Sequence, residues 1–137
     1  MPLEFGHLNL LDTRHVLGWG ARLAHRPGPK VLLARHIADA MVPAGRDGLW
    51  RFADMLGRSG GRAYLEFLVE GEASEAWVDR HLLRPLDPDR VAEQLTRRGA
   101  AIVSLDEADL PPRGPDESAD SDTSRRRVCR MVVEWTS

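Results

Sequence analysis

Gly60-Gly61-Arg62-Ala63-Tyr64-Leu65-Glu66-Phe67-Leu68-Val69-Glu70 is the stretch on which the fold turns. Two glycines stop whatever helix precedes them, because glycine readily takes the left-handed conformation that closes a helix. The run after them is apolar, with aromatic and β-branched residues, and reads as a strand. Only Glu66 interrupts it. A strand apolar on both sides is a central one. The expectation is a central strand over about 62–70, with a carboxylate near its far end.

Upstream, Leu49, Phe52, Ala53 and Leu56 form an apolar stripe at helical spacing, which predicts a helix over about 47–58. Before it, Lys30-Val-Leu-Leu-Ala34 is a short continuous apolar run, as expected of a strand covered on both faces. Pro27-Gly28-Pro29 breaks the chain ahead of that strand. A further helix is expected over about 12–25, with Val16, Gly20 and Leu23 on one face and Asn9 or Asp12 as its cap. Gly18 and Gly20 weaken this helix, and close packing against a sheet would account for both. Gly18-Trp19-Gly20 lies inside the helical pattern, so it is not a nucleotide-binding turn. Residues 3–8 read as a short strand. The order strand–helix–strand–helix–strand predicts three parallel strands with right-handed crossovers.

Downstream, residues 72–77 suit a short helix or loop. The next helix start is well marked, with Asp87 as cap, Pro88 in the first turn, Val91, Ala92 and Leu95 on one face and Gly99 as the stop. Residues 100–105 and 128–135 read as strands. Between them, residues 106–122 carry seven acids against Arg113, with Pro, Gly and Ser interspersed. That composition predicts a flexible acidic loop over 106–126, which Arg125-Arg126-Arg127 could pair with. A connection without helical pattern makes the last two strands an antiparallel hairpin.

The chain has 137 residues and reads as a single domain with one core. The net charge of −2 gives no overall attraction to nucleic acid or to an anionic membrane. Lys30 is the only lysine among 19 basic residues. The single cysteine, Cys129, excludes an internal disulfide and a multi-cysteine metal site; within an apolar run it reads as a buried, inert thiol. His7, His15 and His25 lack metal-ligand spacing, so no metal is expected. No apolar run is long enough to span a bilayer, and the N-terminus does not read as a secretory signal, so the expectation is a cytoplasmic protein. Nothing supports hydrolase chemistry. Trp19, Trp50 and Trp135 read as core residues.

The ordered set of elements resembles the C-terminal half of a class I methyltransferase, the Rossmann-like fold that uses S-adenosylmethionine. Phe5–Arg14, with Asn-Leu-Leu-Asp-x-Arg, is similar to the family's third strand and adenine-side loop. Val-Leu-Leu-Ala-Arg-His-Ile-Ala-Asp-Ala-Met over 31–41 is similar to the fourth strand and the turn at the methyl-transfer end. Residues 60–66, 81–95 and 128–135 are similar to the fifth strand, the capped helix before the sixth strand, and the seventh strand. The resemblance implies an α/β fold: a partial Rossmann-like methyltransferase sheet of about five strands, mostly parallel, with an antiparallel C-terminal hairpin and helices on the faces. It implies that residues 128–135 insert beside the central strand.

The family's Gly-rich loop and the acidic residue ending its second strand are missing. The expectation is therefore a truncated domain over 1–137, able to hold S-adenosylmethionine only if the absent half is supplied. Val31-Leu-Leu-Ala34 would then be an unguarded apolar edge, open to a partner chain or to self-association. Residues 3–8 are expected to move across and pair with it.

The candidate site residues follow from this placement. The resemblance puts Asn9 and Leu10 against the cofactor's adenine; a helix cap is the alternative for Asn9. Arg35 and His36 stand at the carboxyl end of a strand, where open α/β sheets bind ligands; Arg35 is a cofactor-side and His36 a substrate-side candidate. Glu66, near the same end, could orient a substrate or act as a base, and is the catalytic candidate; the alternative is an Arg-paired surface acid. His81 and Arg84 resemble a segment overhanging the substrate. The acceptor, small molecule or glycan, is not legible. Two other readings stand beside this one: a non-catalytic binding or assembly module, and an unrelated small α/β protein with a different strand order.

Overall fold

A computed structural model describes residues 3–69, 83–110 and 126–135. The readings of residues 70–82 and 111–125 lie outside the described residues. The elements run α1 (Thr13–Ala24), β1 (Lys30–Arg35), α2 (Pro43–Gly57), β2 (Gly61–Leu68), α3 (Pro88–Arg97), β3 (Ala100–Leu110) and β4 (Arg126–Trp135).

The four strands form one sheet in the order β1-β2-β4-β3. β1 and β2 are parallel, while β4 runs antiparallel to both β2 and β3. The central strand thus lies between residues 30–35 and the inserted C-terminal strand, as expected. This order removes the reading of an unrelated α/β protein, whose mark was a sheet without that insertion.

Local signals explain the boundaries. Asp12 Oδ1 accepts the N–H groups of Arg14 and His15, so it caps α1. Asp87 Oδ1 accepts the Asp89 N–H and Pro88 opens α3. Gly60 and Gly99 follow α2 and α3 at φ +87° and +89°, the conformation that ends helices. α2 begins earlier than its apolar stripe indicates. Pro43 starts it, and Gly45 and Gly48, which mask a helical pattern, lie buried within it. At Gly48 a Cβ would stand 2.0 Å from the Leu10 carbonyl oxygen, so the backbone of the N-terminal segment rests directly on this helix.

The three helices among the described residues serve one face of the sheet. Ala63, Leu65, Phe67, Cys129, Met131 and Val133 from the strands are buried with Leu49, Trp50 and Ala53 of α2 and with Val91 and Leu95 of α3. α1 adds a second layer through Val16, which packs with Phe52 and Leu56. Gly20 packs on Met55 of α2, not on the sheet as expected, and Gly18 has no neighbour within 4 Å of a built Cβ. Trp50 and Trp135 are core residues; Trp19 is half-buried, with the Arg22 guanidinium over its ring. Cys129 is fully buried, and burial, with the charges of Glu107 and Asp106, pushes its thiol up to about 11.

Three expectations are corrected. Residues 3–8 form no strand and do not pair with β1, so the sheet has four strands among the described residues. They lie along α1 instead: Glu4 pairs with Arg26 at 2.6 Å, and Gly6 sits against the Trp19 ring. Second, β1 is not covered on both faces: Val31 and Leu33 are 66% and 67% exposed. Third, residues 106–110 and 126 belong to the hairpin and not to a loop. The pairings Asp106↔Arg130 and Asp109↔Arg127, with Glu107 3.1 Å from Arg127, set acids against bases and let the strand run into the acidic segment.

Candidate functional site

The register places Arg35, Glu66 and Arg130 in one row across β1, β2 and β4. Facing side chains in paired strands touch, so Glu66 has an arginine on each side. Arg130 Nε donates to Glu66 Oε2 at 2.9 Å, and Arg35 Nη2 donates to Oε1 at 3.3 Å. Burial pushes the Glu66 carboxyl up, but the Arg130 hydrogen bond and the Arg35 charge outweigh it and leave the group below its ordinary value. Glu66 is therefore ionised at neutral pH, and buried while both arginines stay half in solvent.

His36 ends β1 in the left-handed region, at φ +53°, a conformation costly for a side chain larger than glycine. Its N–H donates to the Glu66 carbonyl at 2.8 Å, which extends the parallel pairing by one residue and fixes the bend. The bend turns the imidazole onto Asp39. His36 Nδ1 lies 2.7 Å from Asp39 Oδ2, and the same oxygen accepts the Leu68 N–H at 2.7 Å. With that oxygen accepting, Nδ1–H donates, and Nε2 is left as the acceptor. Nε2 is 3.6 Å from Glu66 Oε1, beyond hydrogen-bonding distance. Asp39 is fully buried, and among the described residues its Oδ1 has no hydrogen-bond partner.

Beside this cluster, residues 7–10 and 37–41 border an open cavity of about 280 Å³, lined by Leu8, Asn9, Leu10, Ile37, Ala40 and Met41 among others. Asn9 is not the cap of α1. Its Oδ1 accepts the Leu11 N–H at 3.0 Å and its own N–H donates to His15 Nδ1 at 2.7 Å, a local turn that presents Leu10 to the cavity. Arg84 crosses the same end of the sheet, where its N–H donates to the Asp39 carbonyl at 2.6 Å.

The structure thus gathers Arg35, His36 and Glu66 into one cluster, brings Asn9 and Leu10 to the adjoining cavity, and ties the Arg84 backbone to the cluster through Asp39. His81 lies outside the described residues. Asp39 and Arg130 were missed by sequence reasoning. Arg130 had a usable signal, since it alternates with Glu134 on β4 as outward-facing polar residues do. Asp39 had a weaker one: it is a lone acid in Ile-Ala-Asp-Ala-Met, three residues after a histidine.

Among solved structures, an S-adenosylmethionine-dependent methyltransferase from Anabaena variabilis ATCC 29413 matches 94% of this chain with a TM-score of 0.69 at 15% sequence identity. The chain has a class I methyltransferase-like fold. It spans 57% of the length of the Anabaena methyltransferase. The glycopeptide N-methyltransferase MtfA in complex with S-adenosylmethionine matches 92% of this chain and is itself covered over 70%, with a TM-score of 0.48 at 14% identity. No protein-family model and no curated protein matches the sequence. In this methyltransferase-like fold the cluster stands at the carboxyl ends of the parallel pair, where open α/β sheets place their ligands. Among the described residues no helix is long and apolar enough to cross a membrane.

Proposed function

We propose that the chain is the substrate-side part of an S-adenosylmethionine-dependent methyltransferase, incomplete and inactive alone. The observation that carries this reading is the pairing of an apolar cavity with a His–Asp pair at the carboxyl ends of β1 and β2. The fit to the cofactor is partial. A cavity of about 280 Å³ lined by Leu8, Leu10, Ile37 and Met41 suits a flat adenine ring. Asn9 Oδ1, which already accepts one N–H, has a second lone pair for an exocyclic amine. For the ribose and the methionine part, the described residues offer neither a Gly-rich turn after a strand nor an acid ending one.

When bound, S-adenosylmethionine would supply an electrophilic methyl group, its bond to sulfur breaking with the electron pair left on sulfur. His36 Nε2 takes the proton that the acceptor's hydroxyl or amine loses as its bond to the methyl carbon forms. Asp39 holds the imidazole in the accepting tautomer. Glu66, ionised between two arginines, is a poor proton acceptor and acts by orienting Arg35. Arg84 lines the acceptor's approach.

The test is a titration of the purified chain with S-adenosylhomocysteine, followed by methyl NMR. Weak, millimolar binding with shifts at Leu8, Ile37 and Met41 is expected. Tight binding by the chain alone would refute its incompleteness. No shift at saturating ligand would overturn the assignment of this cavity to the adenine ring.

A second reading, an assembly module, is favoured by one observation. Val31, Leu33 and Tyr64 are exposed together on the sheet face that bears no helix among the described residues, next to the outer edge of β1. It predicts concentration-dependent dimers by light scattering that Leu33→Lys abolishes; a monomer at all concentrations removes it.

A further inference from the structure

A second cavity, of about 410 Å³, lies between α2 and α3 and is lined by Arg46, Asp47, Trp50, Gln94, Arg97 and Arg98 among others. Among the described residues, three guanidinium groups meet one carboxylate there. Asp47 is spent on Arg98 and on Arg51, the latter at 3.7 Å. Arg97 pairs with Glu93 along its own helix at 2.6 Å, an exposed contact easily exchanged. Arg46 is different. Its Nη1 donates to the Met41 carbonyl at 2.8 Å, which fixes the guanidinium, and among the described residues no carboxylate lies within salt-bridge distance of it.

The surroundings press on this charge. Burial and the like charge of Arg84 hold the Arg46 guanidinium below its ordinary value. The first turn of α2 contains no acid and its cap residue, Val42, makes no side-chain bond, so the helix adds positive potential of its own. The floor is polar and firm, because the buried Trp50 donates its Nε1–H to Gln94 Oε1 at 2.9 Å. A fixed, half-buried arginine with a second arginine near it calls for more than one negative charge.

We infer that the cavity between α2 and α3 binds a dianionic oxyanion, a phosphate or phosphomonoester, through Arg46 with Arg97 alongside. The volume exceeds that of a phosphate group and leaves room for a small organic substituent. The inference does not depend on methyl transfer.

Nitrogen–proton NMR at constant ionic strength and pH tests it, with inorganic phosphate, phenyl phosphate and acetate as probes. The Trp50 indole N–H reports directly. Saturable shifts are expected with both phosphates and not with acetate. Arg46→Gln should weaken binding about tenfold, since a charge-assisted hydrogen bond is lost. Arg97→Gln, a surface change that leaves the Met41 contact intact, should weaken it about threefold at the lower end of the same range. Arg90→Gln, exposed on α3 and outside the lining, should leave it unchanged. Non-saturable drift, equal response to acetate, or unaltered binding in both Arg46→Gln and Arg97→Gln would overturn the inference.

Discussion

Gly18 and Gly48 both sit inside helices, and the structure predicts opposite outcomes when each becomes alanine. Alanine gains about 1 kcal/mol of helix stability over glycine at an exposed interior site. At Gly18 a Cβ meets nothing within 4 Å, so Gly18→Ala should keep that gain. At Gly48 the Cβ would fall 2.0 Å from the Leu10 carbonyl oxygen and 3.0 Å from its carbon, and neither is the yielding end of a side chain. Leu10 must move by more than an ångström, and overpacking of this kind costs about 1–3 kcal/mol before the helix gain is subtracted. The two variants should therefore differ by about 2–3 kcal/mol if the clash is at the upper end of that range. For a chain of this length that separates their melting temperatures by roughly 6–12 °C. Thermal unfolding followed by near-ultraviolet circular dichroism measures the difference. Gly48→Ala should also blunt the methyl shifts that S-adenosylhomocysteine causes, because Leu10 lines that cavity. A Gly48→Ala protein as stable as Gly18→Ala would refute the close approach of the N-terminal segment to α2.

Glu66→Gln should cost about 1 kcal/mol at neutral pH, because its arginine partners are half in solvent. Glu66 titrates below its ordinary value when folded, so the parent's extra stability is present above the unfolded carboxyl range and is lost as pH falls through the folded value. The parent and Glu66→Gln should then converge in urea unfolding at low pH; a constant gap down to strong acid would contradict the pairing. Asp39→Asn should lower stability by about 2 kcal/mol, because a buried acceptor shared by His36 and Leu68 is altered. A melting temperature within 2 °C of the parent, on the order of the smallest resolvable shift, would count against that network. Cys129, buried and shifted to about 11, should react with a thiol reagent only at the rate of unfolding, and fast labelling of the native protein would refute its burial.

The sheet order was legible because each element carried its own signal. The Gly60-Gly61 stop, the Pro27-Gly28-Pro29 break and the Asp87-Pro88 start mark boundaries by backbone chemistry that tertiary context rarely overrides. The failures all involve tertiary choice. Leu3, Phe5 and Leu8 alternate loosely like a strand, yet Gly6 finds Trp19 on α1 and Glu4 finds Arg26 just beyond its end, and no local signal announces that. The acids at 106–109 read as solvated loop until Arg127 and Arg130 lie opposite them, a match that depends on register. Asp39 escaped notice because its partner Leu68 N–H is 29 residues away and is a backbone group, invisible to side-chain patterns.

The two parts of the candidate site differ in what the fold gains from them. The Arg35–Glu66–Arg130 row is an ordinary cross-strand contact: it satisfies the register, keeps both arginines half in water and adds modestly to stability. His36 and Asp39 carry costs that this row does not. The left-handed conformation of His36 costs about 1–3 kcal/mol that glycine would not incur. Burying Asp39 with Oδ1 unpartnered among the described residues costs a further ~1–3 kcal/mol. The Leu68 N–H, which Asp39 Oδ2 accepts at 2.7 Å, recovers part of this. Strain held in place by surrounding structure clusters at functional sites. On that ground the proposed proton transfer is placed on His36 with Asp39 behind it, and Glu66 is given the cross-strand role.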